Sequence, residues 1–281
     1  MRDLELILNE PIVKSCSLGG GCIAHTRYLL TQSGRELVVK KNSCPKMTIK
    51  EANGLNELRK ARAIKVPEVV YVDENLLLLE FIRSSNRTDS FFADFGCQLA
   101  KMHRFSSKYY GFYEDNFIGG TPQINKAQAE EKQNWVTFYF NKRLLYQYQL
   151  AEKNGFVDND FRSLFFNIES CLPQILSGSE EDPSLLHGDL WGGNYMVAKE
   201  GVPVLIDPAV YYGHREAELA MTRLFGGFDH QFYDAYNDQW PLKPGYKVRE
   251  AVYTLYHVLN HLNLFGISYK HQAMALMHQY F

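Results

Sequence analysis

Apolar positions change their period along the chain, and the change divides it. In the first eighty residues they come in short blocks, where HTRYLLT (25–31) and RELVVK (35–40) flank Gln32-Ser33-Gly34 as the arms of a hairpin flank a turn. A helical period takes over from Thr48 to Arg62 despite Gly54. After Pro67, EVVYVD (68–73) and LLLLEF (76–81) read as strands returning to the same sheet. The polar stretch RSSNRTDS (83–90) leads into a predicted helix over Ser90–Phe105, with Phe92, Phe95, Leu99 and Met102 on its apolar face. Helical spacing then dominates at 133–151, 159–176, 215–225 and 248–265, broken by a β-rich stretch at 185–206. This order predicts an α+β fold of two lobes. A small β-rich N-lobe (1–82) would bind nucleotide, and a larger, mainly helical C-lobe (83–281) would carry catalysis and substrate.

Composition narrows the class. The 281 residues are 46% apolar, enough for a folded globule, and 30 basic against 32 acidic side chains leave a net charge of -2. No overall field draws nucleic acid or an anionic membrane to the chain. The N-terminal stretch MRDLELILNEPIVKS lacks the charged and apolar regions of a leader, and no apolar run is long enough to span a bilayer. A cytoplasmic protein without nucleic-acid or membrane partners is expected. Cys16, Cys22, Cys44, Cys97 and Cys171 are odd in number and lack a paired CxxC spacing, which predicts free thiols.

The chemistry concentrates in LHGDLWGGN (186–194) and VLIDP (204–208). Phosphoryl transfer from ATP needs a carboxylate beside the acceptor hydroxyl and oxygen ligands that hold Mg2+ on the phosphates. Protein kinases place an Asp, an Asn and a second Asp in that order, and the Asp189-to-Asn194 spacing equals theirs. Asp189 is the candidate catalytic residue; Asn194 and Asp207 are the candidate metal ligands. As an alternative, all three could cap turns and end a strand, since Asp, Asn and Gly are common there. His187, at the end of an apolar run, reads as a packing and hydrogen-bonding residue, and His103 as a support of the catalytic loop from outside the site.

On the nucleotide side, Gly19-Gly20-Gly21 offers backbone that can close over phosphates, with Gly20 and Gly21 as the expected contacts. Lys40 ends a strand where a kinase presents its phosphate-contacting lysine, and Glu51 on the next helix is its expected partner, although Lys41 and Glu57 fit the same pattern. Leu79, Glu80 and Phe81 precede the crossing between lobes, where backbone groups can meet the adenine edge.

HGDLWGGN together with IDPAVYYGHREAELAM (206–221) resembles the fructosamine kinase, or ketosamine-3-kinase, family within the aminoglycoside-phosphotransferase-like kinases. The resemblance extends through GGGC, VVK, EFI, FGCQLAKMH and the segment 117–155. It implies a protein-kinase-like fold, ATP and Mg2+ as cofactors, and transfer of a phosphoryl group to a sugar hydroxyl of a ketosamine, on a small amine or a glycated protein, in deglycation. It also implies roles residue by residue: Asp189 as proton acceptor, Asn194 and Asp207 as Mg2+ ligands, Lys40 as phosphate contact and 79–81 as adenine contact. Trp191 and Tyr211, beside the reaction centre, are expected either to offer aromatic faces to the sugar or to pack in the core. Cys22 occupies the GGGC position and is a candidate redox thiol. Another acceptor, such as an aminoglycoside or choline, and a silent ATP-binding module remain the alternatives, and a monomer or weak dimer is expected.

Overall fold

The computed structural model describes residues 2–19, 25–42, 44 and 46–281. Helix α1 (Arg2–Leu8) precedes strand β1 (Ile12–Ser17), and the predicted hairpin follows as β2 (His25–Thr31) and β3 (Glu36–Lys41). After α2 (Met47–Lys60) come β4 (Val69–Val72) and β5 (Leu76–Glu80), and the strands form one antiparallel sheet in the order β1-β2-β3-β5-β4. Alternation along the strands sorts the side chains. Leu29, Leu37, Val39, Leu76 and Leu78 pack with Leu4 of α1 in a small core, while Leu77 and Leu79 join Ala52, Leu55 and Leu58 of α2 in the main core.

Helix α2 therefore belongs to the sheet and to the larger lobe at once. A Cβ on Gly54 would lie 3.2 Å from Pro208 Cγ and 3.3 Å from Val210 Cγ2, so the glycine that weakens the helix also lets it approach the catalytic region closely. Three further contacts fasten it: Lys50 pairs with Glu114, Asn53 Nδ2 donates to Glu114 Oε1 at 2.8 Å, and Tyr212 Oη donates to Glu57 Oε1 at 2.9 Å.

The larger lobe begins with α3 (Phe91–His103), whose predicted face is buried. A hairpin of β6 (Asn116–Ile118) and β7 (Thr121–Gln123) follows, then α4 (Trp135–Tyr139), a π-helical stretch (Phe140–Leu145), α5 (Tyr146–Lys153) and α6 (Asn159–Leu176). Asp158 caps α6 by accepting from Phe161 N at 2.9 Å. Strands β8 (Ser184–Leu186), β9 (Tyr195–Val197), β10 (Pro203–Leu205) and β11 (Tyr211–Gly213) pair as β8 with β11 and β9 with β10. Helices α7 (Arg215–Leu224), α8 (His230–Gln239), α9 (Tyr246–Phe265) and α10 (Lys270–His278) complete the lobe. No helix among the described residues is long and apolar enough to cross a membrane. Cys16, Cys44, Cys97 and Cys171 are free thiols.

Three features escape the hydrophobic pattern. The hairpin strands β6 and β7 are three residues each, too short to show alternation. Helix α8 buries only Phe232 and Tyr236, and α10 only Ala273 and Met277, so their apolar stripes are one residue wide. Yet α8 packs tightly on α3, because Gly96 brings the two backbones together: a Cβ there would lie 2.1 Å from Phe232 O. Gly96→Ala must push the helices apart, and we expect it to lower unfolding free energy in urea by about 1–3 kcal/mol. An unchanged midpoint would mean that α8 yields freely.

Candidate active site

Strand β8 delivers the chain into the loop that carries Asp189, and β9 takes it away after Asn194. The loop turns at Gly188, with φ +85°, where a Cβ would sit 2.0 Å from Ala209 O, so only glycine fits. Asn194 Nδ2 donates to Asp189 O at 2.8 Å and to Asp189 Oδ2 at 3.1 Å, and Ile206 N donates to Asn194 O at 3.0 Å. These bonds bring together Asp189, Asn194 and the strand exit that bears Asp207. Burial pushes the Asp189 carboxyl up to about 7, against the opposing hydrogen bond from Asn194. The group therefore changes charge near neutrality.

From the sheet side, Lys40 Nζ donates to Glu51 Oε1 at 2.6 Å and also pairs with Asp207. The alternatives Lys41 and Glu57 are not so placed: Glu57 pairs with Lys60 and accepts from Tyr212. Burial opposes the charge on Lys40, but the two carboxylates outweigh it and raise its proton affinity. Burial also raises the Glu51 carboxyl, and the adjacent Asp207 charge adds to this against the pull of Lys40. Desolvation works against ionised Asp207 as well, yet Lys40 wins and holds it below the usual carboxylate range. Asp207 adopts φ 55°, a left-handed conformation that Asp tolerates better than most residues.

A buried set of bonds fixes the catalytic loop from behind. Glu218 on α7 accepts from Gly188 N at 2.7 Å through Oε1 and from His187 N at 3.1 Å through Oε2, and His103 Nε2 lies 2.9 Å from the same Oε2. His103 Nδ1 in turn meets Tyr236 Oη at 2.8 Å. The structural role expected for His103 thus acts through Glu218. Desolvation opposes the charge on Glu218, but its donors hold the carboxyl low. His187 accepts from Asp189 N at 3.3 Å through Nδ1 and donates from Nε2 to Ile206 O at 2.8 Å. Burial keeps this ring neutral, and it spans the loop and the Asp207 strand as a brace. Glu218 was not marked from the sequence; its only trace is an acidic residue in the middle of a helix that is buried from Arg215 to Thr222.

The remaining expected residues fall in different places. Trp191 is exposed, and its ring lies over Gly193, where a Cβ would come within 2.4 Å of it. Tyr211 is buried, with the Arg143 guanidinium 4.0 Å from its ring centroid and Phe138 stacked nearby. That corrects the expectation of a sugar-facing ring at Tyr211 and leaves the packing alternative. Glu80 N donates to Glu68 O at 2.8 Å and Phe81 N to Glu36 O at 3.2 Å, so these two amides serve the sheet and are not free for adenine. Leu79 is buried in the ladder between β3 and β4. Gly20, Gly21 and Cys22 lie outside the described residues.

Among the described residues no group of three or more His, Cys, Asp or Glu side chains forms a metal cage. Asn194 and Asp207 instead supply an amide and a carboxylate oxygen, because the Asn194 nitrogen is spent on Asp189. Hard oxygen donors so few in number fit Mg2+ shared with nucleotide phosphates.

Known proteins match this arrangement along its length. Residues 5–281 match the family described as fructosamine kinase. The chain is 38% identical to the chloroplastic protein-ribulosamine 3-kinase of Arabidopsis thaliana, over 98% of this chain and 86% of that protein. A crystal structure of a candidate fructosamine-3-kinase from Thermobifida fusca superposes with a TM-score of 0.89 at 29% identity, covering 99% of this chain and 96% of the other. A choline kinase from Streptococcus pneumoniae, 15% identical over 99% of this chain and 97% of its own, shares the fold alone, with a TM-score of 0.66. The fold is that of the protein-kinase-like phosphotransferases, and the chain belongs to the fructosamine kinase family.

Proposed function

We propose that this protein is an ATP-dependent kinase that phosphorylates a sugar hydroxyl of ketosamines, the fructosamine or ribulosamine adducts of amines. The observation that carries the reading is the convergence of Asp189, Asn194, Asp207 and the Lys40–Glu51 pair on one cleft, in a chain related to a ribulosamine kinase. The division at 82/83 into a nucleotide-binding and a catalytic lobe, a cytoplasmic location and a monomer or weak dimer are parts of the same proposal. So are phosphate contacts at Gly20 and Gly21, adenine contacts from the backbone carbonyls of Glu80 and Phe81, sugar packing on Trp191 and a redox role for Cys22.

In this reading Asp189 accepts the proton of the sugar hydroxyl as its oxygen bonds to the γ-phosphorus, the bond to the β-phosphate oxygen breaks, and ADP leaves. Asn194 and Asp207 would hold Mg2+, which would supply positive charge against that developing on the phosphates. Lys40 exchanges its contact with Asp207 for a phosphate oxygen, while Glu51 keeps the ammonium in place. Asn194 holds Asp189 in position through two hydrogen bonds from its amide.

The first test measures ADP formation from MgATP with ribulose-lysine and fructose-lysine, with the phosphorylated product identified by mass. Acceptor-dependent product is expected, and its absence with both acceptors would refute the ketosamine reading; turnover of an aminoglycoside or choline instead would favour those acceptors. Asp189→Asn should lower kcat by about 10²–10⁴-fold without weakening ATP binding. Retained turnover would remove Asp189 from its role.

The Asp189 carboxyl sets a pH dependence whose sign is fixed by burial. Its ordinary value is 3.8 and its folded value about 7, so the proton-accepting form accumulates only as pH rises through about 7. With both substrates below saturation, kcat/KM should fall about tenfold per unit below that point. The same shift means that folding favours the protonated carboxyl fully below 3.8 and loses that contribution as pH rises to about 7. The thermal stability of Asp189→Asn relative to the native chain should therefore improve between pH 4 and 7 and then level off, and a pH-independent difference would contradict the shift.

A further inference from the structure

A strip of aromatic side chains leaves the catalytic loop and runs along the surface of the larger lobe. Trp191, two residues after Asp189, meets Phe225 edge to face at 6.2 Å. Phe225 lies 4.7 Å from the His261 ring, which is 5.4 Å from Phe265 and 5.3 Å from Tyr269. Trp191, Phe225 and Phe265 are 40%, 42% and 58% exposed, although large rings in contact with one another would ordinarily be buried. The strip is continuous with the reaction centre in its backbone as well. A Cβ on Gly192 would lie 3.6 Å from Gly226 O and Gly227 Cα, so the loop that carries Phe225 packs directly on the catalytic loop.

His261 gives the strip a polar centre. Its Nδ1 donates to His257 O at 2.8 Å, and burial lowers its proton affinity, so the ring is neutral with a lone pair on Nε2. No hydrogen bond among the described residues occupies that lone pair. The strip itself therefore carries no formal charge, presents π-faces along its length and has one acceptor in the middle.

We infer that this strip is the subsite for the amine half of the acceptor, taking the alkylammonium arm of a lysine-borne ketosamine. The inference rests on the ketosamine reading. With the sugar at Asp189, its amine substituent must leave the centre along some surface, and this one begins at Trp191. The substituent begins with the protonated nitrogen bonded to the sugar, beside Trp191, and continues as a methylene chain; aromatic faces attract the first by cation–π interaction and the second by packing. Nε2 of His261 can accept an N–H from the peptide beyond the arm.

The test compares two acceptors that share the sugar and differ in the amine: the ribulose adduct of methylamine and that of a lysine side chain in a short peptide. For the native chain, Phe265→Ala and Phe225→Leu, kcat and KM are measured for each acceptor and for ATP. Because both adducts carry the same ammonium, the lost contact is the packing of the methylene chain, and the kcat/KM ratio of lysine to methylamine adduct should fall roughly three- to tenfold in each variant, through KM for the lysine adduct, with KM for ATP unmoved. Melting temperatures confirm that both variants fold. An unchanged ratio, or equal losses on both acceptors, overturns the subsite. A dimer in sedimentation that Phe265→Ala dissolves would make a second copy the occupant and overturn it too. Silence of the native chain on both adducts instead refutes the ketosamine reading, and this subsite with it.

Discussion

The candidate active site depends on a buried carboxylate that lies behind the loop carrying Asp189. Glu218 takes hydrogen bonds from the backbone N–H groups of His187 and Gly188 and faces the His103 ring. Charged acceptors make the stronger hydrogen bonds, and here the donors are the two amides that define the start of the catalytic loop. An unsatisfied buried amide costs about 1–3 kcal/mol. The loop is thus held in one path by the cost of leaving it. Everything downstream inherits that path: Asp189 follows Gly188 directly, Asn194 is bonded to Asp189, and His187 braces the loop to Ile206, the residue before Asp207. One α7 carboxylate fixes the relative positions of three functional side chains on two separate loops.

The Lys40–Glu51 pair is set by a second constraint of the same kind. Glu51 rides on α2, and α2 is bonded to the larger lobe through Glu57 with Tyr212 and through Lys50 and Asn53 with Glu114. Gly54 seats the same helix against Pro208, the residue after Asp207. For α2 to swing and separate Glu51 from Lys40, all of these contacts would have to break together. The ion pair is therefore assembled by folding itself, and the two lobes share one core across α2.

The sequence revealed the parts whose residue types are tied to chemistry or to backbone geometry. That Asp189, Asn194 and Asp207 would meet was legible because Gly188 and the short flanking strands leave few paths for such a loop; their part in phosphoryl transfer belongs to the proposal. Long elements such as α6 and α9 were legible from their period. Glu218 was not, since a buried acid on a helix looks like any solvated one until its partners are known. Tyr211 misled for the converse reason: proximity in sequence to Asp207 says nothing about which way a strand turns its ring, and β11 turns this one onto Arg143. Adenine contacts from the Glu80 and Phe81 amides also looked open until the sheet claimed both. Pairing of distant strands decides such questions, and it leaves no local mark.

Charge balance completes the physical picture of the cleft. Lys40 faces two carboxylates, so the positive charge offered to a triphosphate is already neutralised, and Asp189 adds a further negative charge once it ionises. Like charges in a crowded, partly dry site repel strongly. A bare polyphosphate would enter against this field; in the proposed reaction a divalent cation held by Asn194 and Asp207 would relieve it and leave Lys40 to a phosphate oxygen. On that proposal, positive charge arriving beside Asp207 would favour the ionised form of Asp189, whose carboxyl burial raises to about 7.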